Sequence, residues 1–180
     1  MINPSPHYDL EAFRNQIELT RQGVAYLNHA GMSPLPVPSK IAMIDALDRM
    51  SSSGSDAYAE ILFPVAKRLK SCLARLVNSV PAEIAFIENT SIGLNILAQS
   101  LPLVLGDSVL ICDAEFPSNV YAWQNLATKG VEVRVTPSAN GGMSLDAVDD
   151  VRDERTKVVA VSGIQFLSGR REDLTVLGEY

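Results

Sequence analysis

Cysteine, tryptophan and histidine are scarce in this sequence of 180 residues, with two, one and two copies, and aromatics make up only 6%. Cys72 and Cys112 each lie inside an apolar run, 69-LKSCLARL-76 and 109-VLICD-113, with no further ligand at metal-binding spacing. That excludes a zinc ribbon or a disulfide framework and predicts two buried thiols in a reducing compartment, with no metal centre. Basic charge is short as well. Fifteen lysines and arginines stand against 21 acidic residues, a formal net charge of −6. No basic field is present for a nucleic-acid backbone or an anionic membrane surface. No apolar run is long enough to span a bilayer, and MINPSPHYDLEAF lacks the basic flank and apolar core of a leader, so a cytoplasmic location is expected. Also missing is any G-x-G-x-x-G following a strand, which counts against a dinucleotide site.

What is present is a hydrophobic content of 47%, enough for one soluble domain with a sizeable core. Over 8-YDLEAFRNQI-17, Leu10, Phe13 and Ile17 share one helical face, and residues 1–22 read as an N-terminal arm. The segment 24-VAYLNHAGMSPLPVP-38 is a short apolar run that opens into a proline-rich, rigid loop. Ile41, Ile44, Leu47 and Met50 then recur at helical spacing up to 51-SSSGS-55. A longer helix follows, capped by Ser55, with Tyr58, Ile61, Leu62, Val65, Leu69, Leu73 and Leu76 as its stripe. Pro64 within it predicts a kink or a division.

From residue 80 onward, strands and helices alternate. Strands are expected at 84-IAFI-87, 108-SVLIC-112, 131-VEVRV-135 and 157-KVVAV-161. Helices are expected at about 91–101, around 118-SNVYAWQNLATKG-130, after Ser144 and within 172-EDLTVLGEY-180. Apolar strands alternating with helices predict a mostly parallel, doubly covered sheet, the three-layer α/β/α class. The chain stops at Tyr180 inside such a unit, so the fold is expected to be truncated.

In parallel α/β sheets ligands collect where strands end and helices begin. Three such loops carry polar chemistry. In 88-ENTSIG-93 a helix start and two hydroxyls converge: Asn89 or Ser91 either caps the helix or helps to seat a phosphate. In 113-DAEFPSNVYAW-123, Phe116 is either core or an exposed face for a flat heterocycle. In 162-SGIQFLSGRREDL-174, Arg170 and Arg171 are a solvated pair or an anion clamp.

Taken in order with 26-YLNHAGMSPLP-36, these motifs resemble the class V aminotransferase family of pyridoxal 5′-phosphate (PLP) enzymes, which includes cysteine desulfurases, selenocysteine lyases, isopenicillin N epimerase-like proteins and kynureninases. The resemblance runs from about Tyr26 to Tyr180. It implies that residues 23–180 are the N-terminal part of a PLP-binding large domain of the fold type I transferase class. It also implies that Asn89, Thr90 and Ser91 bind the cofactor phosphate. Phe116 would stack on the pyridine ring, where desulfurases carry a histidine, and 115-EFPSN-119 and 163-GIQFLSG-169 look kynureninase-like. Gln165 would lie near the cofactor O3′ or the substrate carboxylate, and Asn28 and His29 in the segment that approaches the substrate. His29 can equally be a hydrogen-bonding loop residue.

The family's cofactor-anchoring lysine and pyridinium-binding aspartate fall beyond Tyr180 in this pattern. Lys40, Lys67, Lys70, Lys129 and Lys157 match no family lysine motif, so no catalytic residue is assigned. The resemblance implies an amino-acid substrate and, for the complete enzyme, a homodimer. The other expectation is a non-catalytic fragment or subunit that needs a complementary chain, since an open sheet edge invites association.

Overall fold

The computed structural model describes residues 9–179, which divide between two compact units, Met1–Ala85 and Phe86–Tyr180. Tyr8 and Tyr180, the outer ends of the first and last expected helices, lie outside the described residues.

The first unit is helical. Asp9 caps α1 (Leu10–Arg14) through its side chain, which accepts from the Ala12 amide at 2.9 Å, and α2 (Glu18–Arg21) follows. The expected single helix over 8–17 is therefore shorter, with a second turn behind it. Pro36 and Pro38 open α3 (Val37–Ser53), where a missing N–H costs nothing because the first-turn amides have no helical partner. Gly54, at φ 54°, ends it. Its apolar positions form a helix but not a core, since Ile41, Ile44 and Leu47 are all exposed. Periodicity fixes which side chains share a face, not what covers them.

The longer helix accommodates Pro64 in a specific way. A π-helical stretch, Tyr58–Leu62, precedes α4 (Phe63–Leu76), and the Phe63 amide reaches back five residues to the Tyr58 carbonyl. A wider turn is one route around a proline that cannot donate to the carbonyl four residues before it. Cys72 on α4 is exposed, which corrects the expectation of a buried thiol; Cys112 is buried as expected. An apolar run on a helix still turns some positions outward, and Cys72 occupies one.

The second unit carries the sheet. It begins within residues 84–87, which follow the short 3-10 turn Pro81–Glu83 that closes the first unit and are not a strand: no ladder forms there, and Phe86 and Ile87 are about half exposed. An apolar run becomes a strand only where a neighbour completes its hydrogen bonds, and among the described residues none does. Next come α5 (Thr90–Ser100), β1 (Ser108–Cys112), α6 (Ser118–Gln124) with a 3-10 extension over Asn125–Lys129, and β2 (Glu132–Thr136). Ser144 caps α7 (Leu145–Asp149) through its hydroxyl, and β3 (Thr156–Val159) and α8 (Leu174–Glu179) complete the order.

The strands run in the order β2-β1-β3, and both pairings are parallel. Central β1 is buried along its whole length, and its alternation divides the core into two layers. Val109 and Ile111 pack with Ala98, Trp123 and Leu126 from the α5 and α6 side. Leu110 and Cys112 pack with Met143 and Val148, with Leu177 of α8 against them. Helices on both faces of a parallel sheet give the three-layer α/β/α architecture. Gly130, at φ 74°, makes the left-handed turn into β2, where a Cβ would lie 2.2 Å from the Leu105 side chain.

Candidate functional site

The loops after β1 and β3 and the start of α5 all belong to the second unit, and their polar groups are joined by two hydrogen-bonded systems. The first lies at the helix starts. Asn89 is the N-cap of α5, with extended backbone (φ −163°) and its side-chain oxygen accepting from the Ile92 amide at 2.9 Å. The capping role is therefore real. It does not use up the site, because Ser91 Oγ turns to donate to Ser118 Oγ at 3.0 Å. Neither α5 nor α6 has an acidic residue in its first turn, so no carboxylate of either helix competes for an anion at this end of the α5 dipole. Asn89, Thr90 and Ser91 are all exposed.

The second system is buried and centred on Glu115, which the sequence places at the end of 113-DAE-115 without suggesting a role. One carboxylate oxygen accepts from the Ser162 amide and from Gln165 Nε2, both at 2.8 Å. The other accepts from Ser162 Oγ at 2.6 Å and Asn119 Nδ2 at 2.9 Å. Asn119 Oδ1 in turn accepts from Trp123 Nε1 at 3.0 Å. Burial pushes the Glu115 carboxyl up, but the donors from Ser162, Asn119 and Gln165 outweigh it and hold it below its ordinary value of 4.5. Gln165 is 1% exposed, and its Oε1 has no hydrogen-bond partner among the described residues. The signal available from sequence was an acidic residue three positions after a buried strand.

Phe116 is neither core nor isolated. It meets Phe166 edge to face, with centroids 5.0 Å apart at 87°, and both rings remain nearly half exposed. This aromatic pair joins the loop after β1 to the loop after β3. Arg170 is engaged locally, with Glu172 Oε2 at 3.4 Å and the carbonyls of Ala139 and Met143 as acceptors.

Asn28 and His29 belong to the first unit. Asn28 organises its own turn: its carbonyl accepts from Gly31 and Met32, and its side-chain oxygen accepts from the Gly31 amide at 3.3 Å. His29 Nδ1 lies 3.0 Å from Ser33 Oγ, and its ring meets Tyr26 edge-on at 5.2 Å. Both are fixed loop residues in the surroundings described. Among the described residues, no group of three or more histidine, cysteine or acidic side chains could hold a metal, and no helix is long and apolar enough to cross a membrane.

The chain as a whole is similar to known proteins. The sequence profile of the aminotransferase class-V family matches residues 17–180. A probable cysteine desulfurase of Methanothermobacter thermautotrophicus is 33% identical over 172 residues, covering 93% of this chain and 43% of that protein. A cysteine desulfurase of Cronobacter sakazakii is 28% identical over 165 residues, 84% of this chain and 40% of that protein. Among solved structures, a C-DES mutant with glycine covalently linked to its PLP cofactor superposes with a TM-score of 0.82 at 24% identity, covering 92% of this chain and 44% of that one. The likeness in structure is one of fold. The chain spans less than half the length of these relatives.

Proposed function

The chain belongs to the class-V aminotransferase family, and from that premise we propose that it carries the phosphate-binding and ring-contacting part of a PLP-dependent enzyme acting on an amino acid. The observation that carries this reading is the Ser91–Ser118 hydrogen bond, which brings two hydroxyls together at the start of an eleven-residue helix with no acidic residue in its first turn. Thr90 and Ser91 with the first-turn amides of α5 bind the phosphate, and Asn89 holds that turn in shape. Phe116 presents its ring to the pyridine, with Phe166 fixing its tilt.

The residues fit the group chemically. They offer hydroxyl and amide donors for a dianion, an exposed aromatic for a flat ring and a buried polar network behind it. When bound, PLP supplies an electron sink for bonds at the amino-acid α-carbon. Asn28 and His29 are assigned to the substrate side, and a cytoplasmic homodimer to the complete enzyme. The names of the relatives make cysteine the first amino acid to try.

Calorimetric titration of the full-length protein with PLP, with and without inorganic phosphate, tests the proposal. Saturable binding that phosphate weakens, and that Thr90→Val with Ser91→Ala reduces about tenfold or more, is expected. Binding unaffected by phosphate or by both substitutions would remove α5 from the site.

A further inference from the structure

The turn between β2 and α7 carries a reactive dipeptide that the cofactor reading does not use. Asn140 is the only asparagine in the sequence that is followed by glycine. Asn140 and Gly141 are both left-handed, at φ 52° and 78°, and Ala139 and Gly142 close the turn with paired backbone bonds of 2.9 and 3.2 Å. This is the two-residue turn for which Asn-Gly is favoured, because both central positions need positive φ. Asn140 is exposed, and the Gly141 amide has no acceptor among the described residues. Asn78, the other left-handed asparagine, differs: the amide that follows it, of Ser79, donates to the Ala74 carbonyl at 2.8 Å.

An asparagine followed by an unencumbered amide can cyclise. The Gly141 nitrogen gives its proton to a base and bonds to Asn140 Cγ. The bond from Cγ to the side-chain nitrogen breaks, and ammonia leaves with a proton from the conjugate acid. Water then opens the cyclic imide at Cγ to give aspartate, or at the main-chain carbonyl to give isoaspartate, in which the chain runs through Cβ and Cγ. No oxidant or reductant takes part.

The folded turn holds this reaction back. In a left-handed residue Cβ lies beside its own carbonyl oxygen, so the next nitrogen, on the opposite side of that carbonyl carbon, is turned away from Cγ. Cyclisation therefore needs rotation about the Asn140 Cα–C bond, which opens the turn. The loop after β3 resists that rotation. Ser168 Oγ donates to the Gly141 carbonyl at 2.6 Å, and the Arg170 guanidinium donates to the Ala139 and Met143 carbonyls. Ser168 also packs so closely that a Cβ on Gly141 would come within 2.5 Å of the serine Cβ.

We propose that Asn140–Gly141 is a deamidation site gated by the loop after β3, with the Ser168–Gly141 hydrogen bond as its latch. The chemistry needs no cofactor and stands apart from the PLP reading. The isoaspartyl product lengthens the turn that Ser168 and Arg170 hold, and so unseats the loop that carries Gln165 and Phe166.

The full-length protein, native or unfolded in urea, is incubated at mildly alkaline pH. Mass spectrometry of the digest follows acid formation at each asparagine, and labelling by an isoaspartyl methyltransferase identifies the isoaspartyl product. Unfolded protein should convert Asn140 faster than any other asparagine, and native protein about tenfold or more slowly than unfolded. Ser168→Ala should speed the native reaction about fivefold, the loss of one hydrogen bond. Asn89→Ala, which removes a helix cap elsewhere, should leave the native rate within about twofold. No preference for Asn140 in the unfolded chain removes the site. Equal rates in native and unfolded protein, no acceleration by Ser168→Ala, or equal acceleration by Asn89→Ala overturns the gate.

Discussion

Ser91 Oγ donates to Ser118 Oγ across 3.0 Å, so the first turn of α5 and the first residue of α6 share one polar seam on the second unit. The two residues are 27 positions apart in the chain, and β1 between them sets their approach.

Ser91 is assigned to the ligand and Ser118 to holding it: on binding, the Ser91 O–H turns to the phosphate and its Oγ accepts from Ser118 instead. Ser91→Ala should therefore lower PLP affinity by about five- to tenfold, and Ser118→Ala by less, because the Ser91 hydroxyl remains. Calorimetry on both variants reads the difference. If Ser118→Ala were the more damaging, the roles would be reversed.

Asn89 is an N-cap on an exposed helix start, and its loss should act on stability directly. Asn89→Ala is expected to cost about 1 kcal/mol in urea denaturation, and Asn89→Ser should recover most of it. The Ile92 amide, which Asn89 accepts from, should exchange faster in the alanine variant.

Acid should reach the Glu115 network before it reaches the apolar core. The folded carboxyl is held below its ordinary value of 4.5. Its contribution to stability is therefore complete above that value and is lost as pH falls through the lower folded one. Glu115→Gln should be less stable at neutral pH and show a flatter acid limb. Denaturation midpoints followed by the emission of Trp123, the only tryptophan in the sequence, would reveal an unchanged acid limb if Glu115 played no part.

The two thiols should differ sharply in reactivity. Cys72 is exposed, whereas Cys112 is buried and burial pushes its thiol up, away from the nucleophilic thiolate. Iodoacetamide under native conditions should label Cys72 and spare Cys112 until denaturant is added, as mass spectrometry of the digest would show. Labelling of Cys112 in the native protein would mean that the β1 layer opens readily.

The sheet was legible because its strands are short apolar runs separated by polar helix caps: β1, β2 and the Ser144 cap of α7 follow directly from that pattern. Residues 84–87 carry the same signal and form no strand, because apolar content does not supply a ladder neighbour. The helix starts at Asn89 and Ser118 were legible for the same local reason. Glu115 was not. Its partners Ser162 and Gln165 lie 47 and 50 residues away, and only the parallel pairing of β1 with β3 brings those loops together. The Phe116–Phe166 pair is hidden for the same reason.

The π-helical stretch at Tyr58–Leu62 has a consequence for chain length. An α-helix advances about 100° per residue, so a deletion within a regular helix rotates everything beyond it out of register. A π turn already holds one residue more than an α turn spanning the same rise. Removing a single residue between Tyr58 and Leu62 would tighten the helix to ordinary winding and leave the orientation of α4, including buried Ala74, as it is. Homologous chains one residue shorter at this place are therefore compatible with the same fold.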